Sequence, residues 1–155
     1  VMCCVTMLKR YDVKGKTYFK YPNKYYYTDM GLRNARLNYR QYDPGHIMEN
    51  IIYNELLRLG YSVDVGVVTD RTGGANMQKE IDFVVNDADK KFYIQSAFQM
   101  DTDKKESSEL ASLILTKDFF KKIIVRMDIP HNFYDDNGIF HCNLIDLLLG
   151  RVELF

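Results

Sequence analysis

The sequence predicts an α/β protein: a central mixed β-sheet flanked by helices, preceded by an N-terminal β-hairpin. Three observations predict it. Residues 79–97, KEIDFVVNDADKKFYIQSA, alternate polar and apolar side chains on both sides of the turn-forming cluster Asn86-Asp87-Ala88-Asp89, the pattern of two short strands joined by a tight turn. Residues 45–59 place Met48, Ile51, Ile52, Leu56 and Leu59 at helical spacing, and Gly60 follows as a natural stop. From Gly45 onward the expected order is helix, strand, strand, strand, helix, strand, strand, which builds a mixed sheet with helices packed against it.

Taken in order, residues 1–20 read as a hairpin. Residues 5–11 form one strand, Val13-Lys14-Gly15-Lys16 the turn and residues 17–21 the return, with Gly15 supplying backbone freedom. A hairpin alone is marginal in water, so it must lean on something. Pro22-Asn23 ends it. Residues 24–28 contain Tyr25-Tyr26-Tyr27; such a run can stack bases, but a half-buried strand is the commoner use. Residues 29–32 lead into a short helix or turn, and Tyr42-Asp43-Pro44-Gly45 breaks the chain before the main helix. Residues 61–68 have strand composition, and 70–78 form a loop around Gly73-Gly74. Residues 103–116 show helical spacing through Leu110, Leu113 and Ile114. A strand at 122–125, a loop at 131–138, a strand at 139–143 and a helical turn at 144–149 complete the chain.

Strand periodicity assigns faces. Side chains two apart share a side, so Ile81, Phe83 and Val85 are expected on one face and Glu80 and Asp82 on the other. Tyr93, Gln95 and Ala97 share a face of the next strand. A carboxylate in the middle of an apolar strand is costly to bury without a partner, so a metal, a donor or water in a cleft must meet Asp82. Glu49, four residues before Tyr53, borders the apolar stripe of the main helix, from where it can reach a cleft or simply face solvent.

At 155 residues, with 46% hydrophobic and 27% charged residues, the chain suits one domain with a real core. No apolar run approaches a membrane span, and the apolar-then-basic start reverses the order of a secretory signal. Three cysteines, Cys3, Cys4 and Cys142, make neither a zinc site nor a disulfide framework, so a cytoplasmic setting without a membrane partner is expected. Net charge is zero but unevenly spread. Residues 1–42 hold nine Lys and Arg against Asp12 and Asp29, giving +7 and leaving −7 for the remainder. Lys9, Arg10, Lys14, Lys16, Lys20 and Lys24, interleaved with tyrosines, are candidate nucleic-acid contacts; pairing with an acidic neighbouring domain is an equal alternative. There is no G-x-x-x-x-G-K-[ST] motif, so the chain by itself is not expected to hydrolyse nucleotides, and no G-x-S-x-G elbow. His46, His131 and His141 are dispersed and show no metal-ligand spacing.

A helix glutamate, a strand aspartate and an adjacent strand carrying E-x-K can hold Mg²⁺ through oxygens and activate water for phosphodiester cleavage. The order here resembles the PD-(D/E)xK, or restriction-endonuclease-like, nuclease fold, with Glu49 and Asp82 in the acidic positions and Gln95-Ser96-Ala97 in place of E-x-K. RYDVKGK (10–16), KYYYTDMGLRN (24–34), GHIMENIIYNELLRLGY (45–61), KEIDFVV (79–85) and YIQSA (93–97) together resemble a C-terminal domain of unknown function found in prokaryotic AAA+-type ATP-binding proteins. That resemblance implies residues 1–23 as the tail of a winged-helix-like segment and 24–155 as a nuclease-like domain. It also implies ATP binding only in a preceding ATPase module, which would be the natural partner, with DNA as a second partner and oligomers possible. It makes Glu49, Asp82 and Gln95 a vestigial catalytic set, and Asp82, Glu49 and Glu80 weak ligands for Mg²⁺. Gln95 is a weaker oxygen donor than a carboxylate, and Ala97 cannot stabilise developing negative charge as a lysine does; Lys79 or Lys91 are candidate substitutes. The expected function is a degenerate nuclease-like domain that binds DNA or its ATPase. The alternatives are an active Mg²⁺-dependent endonuclease and an interaction module that regulates the ATPase.

Overall fold

In a computed structural model, the structure describes residues 4–20, 22–70, 76–87 and 90–154. Four short strands come first: β1 (Val5–Leu8), β2 (Arg10–Asp12), β3 (Thr17–Tyr18) and β4 (Lys24–Tyr27). Helices α1 (Met30–Arg36) and α2 (Pro44–Arg58) follow, then strands β5 (Ser62–Asp70), β6 (Met77–Asp87) and β7 (Lys90–Ala97). Helix α3 (Asp103–Ile114), strands β8 (Lys121–Arg126), β9 (Phe133–Tyr134) and β10 (Phe140–Asn143), and the short helix α4 (Leu144–Leu148) complete the fold. The architecture is α/β, with a mixed sheet ordered β3-β2-β5-β6-β7-β8-β10-β9. β5, β6 and β7 run antiparallel; β7, β8 and β10 run parallel. Of the expected features, Gly73-Gly74, Ala88-Asp89, Tyr21 and Cys3 lie outside the described residues.

The sheet separates two cores. On one face Met48, Ile52 and Leu56 of α2 and Leu144 and Leu147 of α4 pack on Phe83, Val85, Ile94 and Val125. On the other, Leu110 and Leu113 of α3 pack on Ile81, Val84, Tyr93 and Ile124. Local chemistry starts and stops the helices. The expected break at Tyr42-Asp43-Pro44-Gly45 is the N-terminus of α2: the Asp43 side chain accepts the His46 N–H, and Pro44 occupies the first turn, where its missing N–H costs nothing. Gly60, at φ +88°, ends α2 in the left-handed conformation. At the start of α3 the Thr102 side chain accepts the Lys105 N–H, with Asp103 and Glu106 in the first turn.

The N-terminal segment differs from the expected single strand over residues 5–11. It breaks at the exposed Lys9, and the pieces serve two sheets. β1 pairs antiparallel with β4 in a separate two-stranded sheet that delivers Leu8 and Tyr26 to the α2-side core. β2 pairs with β3 as the hairpin and also runs parallel to β5, so the hairpin is bonded into the edge of the large sheet. The hairpin turn also works differently from expectation. Lys16, not Gly15, has positive φ, at 53°. Gly15 is needed because a Cβ there would lie 2.5 Å from the Asp12 carboxylate, which accepts the N–H groups of Lys14 and Gly15.

The face assignment along β6 requires a correction. Asp64 pairs with Val84 and Gly66 with Ile81, so Val65 alone faces both Asp82 and Phe83. That is a β-bulge, and it breaks the period-2 pattern. Ile81 therefore joins the α3-side core while Phe83 and Val85 join the α2-side core. Gly66 permits the close approach: a Cβ there would lie 2.7 Å from Val84 Cγ2 and 2.9 Å from Ile81 Cβ. Gly66→Ala should overpack this contact and cost about 1–3 kcal/mol. The change will be read as a lower urea midpoint at unchanged m-value.

Candidate functional site

The site forms where β4, α2 and β6 meet. Asn50 on α2 clamps β4 by accepting the Tyr27 N–H at 2.8 Å and donating to the Tyr27 carbonyl at 2.7 Å. Tyr26 turns inward and stacks on Tyr53, 4.5 Å between ring centroids. Lys24, two residues earlier, shares that inward face. Met48 and Ile52 seat α2 in the core, which leaves Glu49 at the helix edge beside Lys24 and Tyr26.

Three carboxylates converge on one ammonium. Lys24 Nζ lies 2.7 Å from Glu49 Oε1, 2.5 Å from Glu80 Oε1 and 3.3 Å from Asp82 Oδ1. Tyr26 donates its hydroxyl to Glu49 Oε1 at 2.5 Å, and Arg10 Nη2 reaches the far oxygen of Glu80 at 2.7 Å. The bulge turns Asp82 toward α2 rather than α3. Its Oδ2 accepts the Ser96 N–H at 2.9 Å, and its own N–H donates to Gln95 Oε1 at 3.3 Å. The paired register of β6 and β7 ends at Phe83 and Ile94, and these two side-chain bonds hold the strands beyond it.

Protonation follows from burial and charge. Asp82 is pushed up to about 7, first by desolvation, then by the Glu49 charge; Lys24 and the Ser96 N–H oppose the shift. Burial works against the Lys24 ammonium, but Asp82 and Glu49 outweigh it and hold its pKa above the usual lysine value. Tyr26 is raised by burial and by Glu49, so its hydroxyl stays protonated and donates.

Of the expected catalytic set, Glu49 and Asp82 come together, with Glu80 beside them. Gln95 does not join their carboxylates. Its Nε2 donates to Glu109 Oε2 on α3 at 3.0 Å, and Ala97 is buried in the α3-side core. Ile94 belongs to the α2-side core, so alternation along β7 sends Gln95 and Ala97 the other way. Neither suggested replacement lysine reaches the carboxylates. Lys79 lines a cleft with Glu80, Gln95 and Glu109 but makes no ion pair with Glu49, Glu80 or Asp82, and Lys91 lies over the rings of Tyr11 and Phe120. Lys24 holds the central position instead. Its K-x-Y spacing with Tyr26 was legible as a shared strand face, but nothing in the sequence pointed that face at Glu49 and Asp82.

The three carboxylates match Mg²⁺ in charge and donor type, but their arrangement does not fit it. The Lys24 ammonium occupies the point on which they converge, and among the described residues no group of three or more His, Cys, Asp or Glu is disposed to hold a metal. Of the expected nucleic-acid contacts, Arg10 and Lys24 are committed to this cluster, whereas Lys9, Lys14, Lys16 and Lys20 are exposed. Among the described residues no helix is long and apolar enough to cross a membrane.

The chain is 38% identical over 117 residues to an uncharacterized protein of Haemophilus influenzae. The match covers 76% of this chain and 26% of that protein, so the chain spans about a quarter of the length of the curated relative it matches. No family model matches the sequence.

Removing the ammonium should leave buried carboxylates uncompensated. Lys24→Met is expected to destabilise the fold at pH 8 by about 2–4 kcal/mol, near the cost of breaking a buried ion pair. The loss should shrink at pH 5, where the cluster can take up protons; denaturant titrations at the two pH values check it. A second expectation concerns Asp82 alone. Its folded pKa lies above the ordinary 3.8, at about 7. Between those values the folded state binds more protons, so the Asp82 contribution to stability falls as pH rises through that window and is flat above it. Asp82→Asn should remove this negative slope, measured as the difference between variant and parent across the pH series.

Proposed function

We propose that this chain is a nuclease-like, catalytically silent α/β domain that acts by binding, as part of a longer ATP-dependent protein. One observation carries the reading: the Lys24 ammonium is seated among Glu49, Glu80 and Asp82, where a nuclease of the PD-(D/E)xK type would need its metal. The order of Glu49 on a helix, Asp82 on a strand and an adjacent antiparallel strand agrees with that fold. The chemistry that would follow is missing its parts. Gln95 is turned to Glu109 and Ala97 to the opposite core, so no acidic ligand and no lysine extend from β7 into the cluster. Arg10 and Lys24 bring two positive charges to three negative ones, which lowers the cluster's pull on a divalent cation.

The ATPase association draws on the resemblance to domains that follow AAA+ modules. The relative leaves about three quarters of its length outside the matched region, ample for such a module. DNA binding draws on the exposed lysines Lys9, Lys14, Lys16 and Lys20 on or beside the hairpin.

The alternative with a specific observation behind it is an active Mg²⁺-dependent endonuclease, because three carboxylates do converge at one point. A cleavage assay separates the two. Linear, single-stranded and branched DNA are incubated with Mg²⁺ or Mn²⁺ and either the parent chain or Asp82→Ala. The proposal expects no cleavage above the Asp82→Ala level from folded protein. Metal-dependent cleavage abolished by Asp82→Ala would overturn it and establish the endonuclease.

A further inference from the structure

Helix α1 and its connection to α2 contribute no side chain to the carboxylate cluster, yet they concentrate positive charge. Residues 30–42 contain Arg33, Arg36 and Arg40 and no Asp or Glu. Among the described residues, no ion pair engages any of the three. Arg33 uses one amine, Nη1, on Asn34 Oδ1 at 3.0 Å and on the Gln41 carbonyl at 3.4 Å. Those bonds fix the guanidinium against the end of the connection and leave the rest of its fork free for a ligand.

The same segment is shaped around a trough. A cavity of about 440 Å³ lies between it and β4, with Tyr25, Arg33 and Gln41 in its walls and Lys24 and Glu49 among its lining residues. A second cavity, of about 520 Å³, shares Arg33, Gln41 and His46 with the first and extends to Arg40 and Tyr42. The two adjoin at those shared walls. Their linings carry exposed aromatic faces: Tyr25 is 62% exposed and Tyr42 76%. At the bend of the connection, Asn38 and Tyr39 both have positive φ, 49° and 55°. Bulky residues rarely adopt that conformation, and here it leaves Tyr39 75% exposed.

Charge is graded along the trough. Arg33 borders both parts; the outer part adds Arg40, with Asp43 held by His46 at 2.8 Å, and the inner part carries Glu49, already paired with Lys24. Guanidinium forks match phosphate oxygens in bidentate geometry. Exposed tyrosines stack on bases whatever their identity, but only where the base faces are free, as in single strands. We propose that this trough binds single-stranded nucleic acid, with Arg33 and Arg40 on phosphates and Tyr25 and Tyr42 as stacking faces. This extends the binding role proposed above, on which it rests, and moves the principal contact from the hairpin lysines to the trough between β4, α1 and the α1–α2 connection.

Fluorescence anisotropy with the 155-residue chain tests it, using labelled oligo-dT, oligo-rU and a duplex of the same length. The single strands should bind more tightly than the duplex; the ratio of oligo-dT to oligo-rU affinity then identifies the strand chemistry. Arg33→Glu with Arg40→Glu should weaken single-strand binding by at least about tenfold and reduce the salt slope by roughly 1.4, two single-strand phosphate contacts. Tyr42→Ala, at an exposed position, should weaken it by roughly 5- to 100-fold. Lys14→Glu with Lys16→Glu and Lys20→Glu should leave it within about twofold, every variant being checked for an unchanged thermal melt. Loss of binding in the hairpin variant but not in the arginine variant would overturn the trough and leave the DNA-binding role standing on the hairpin. Absence of binding to any of the three probes by folded parent protein would overturn the trough and the DNA-binding role together, leaving the cleavage result untouched.

Discussion

Three ionised carboxylates in one half-buried pocket repel one another unless a cation joins them, and here the cation is the Lys24 ammonium. Its contacts with Glu49, Glu80 and Asp82 tie β4, α2 and β6 together at one point. Removing charge from water is expensive, and the attraction repays that cost only with good geometry and satisfied hydrogen bonds. Tyr26, Arg10 and the Ser96 N–H complete those bonds. The two-stranded β1-β4 sheet would otherwise be a marginal hairpin-sized unit. It is held because Asn50 grips the Tyr27 backbone from α2, while Tyr26 stacks on Tyr53 beneath.

The β6 bulge is the second constraint. One extra residue opposite Val65 brings Asp82 and Phe83 to the same side of the sheet, so a charged and a large apolar side chain both face α2. Phe83 fills the core, and Asp82 reaches the point where β6 and β7 part. There the backbone ladder gives way to two bonds that use side chains, Gln95 to the Asp82 N–H and Asp82 to the Ser96 N–H. Gln95 is thus a structural clasp between two strands and α3. A glutamate in its place could still accept from the Asp82 N–H, but it would set a second carboxylate against Glu109 and lose the amide donor that now meets it.

Under the proposed function, the chain divides its charge between two tasks. Arg10 and Lys24 are spent inside, neutralising the cluster. Arg33 and Arg36 on α1, Arg40 on the α1–α2 connection, and Lys14, Lys16 and Lys20 on or beside the hairpin make no ion pair among the described residues. The excess of +7 in residues 1–42 therefore overstates what reaches solvent near the cluster and hides a second basic surface in the middle of the segment.

The sequence by itself determined the fold class, the main helices and most strand positions, because periodicity and capping are local. The apolar stripe of α2 with its Asp43-Pro44 start, the alternation of β7 and the helical spacing of α3 all lie in short windows. It also singled out Glu49 and Asp82, since a carboxylate bordering an apolar face or interrupting a strand is conspicuous anywhere. Only the tertiary structure decided what meets them. The bulge that places Ile81 opposite Phe83 depends on Gly66 in a neighbouring strand, and no pattern within β6 records it. The pairing of Lys24 with Glu49 and Asp82 spans 25 and 58 residues, and it exists because β1 and Asn50 fix the face that β4 presents. The turn of Gln95 and Ala97 toward α3 follows from strand alternation, but choosing that side required the packing of two cores against one sheet. Burial and partner are properties of the assembled layers, and a linear sequence reports them only where a neighbour in space is also a neighbour in the chain.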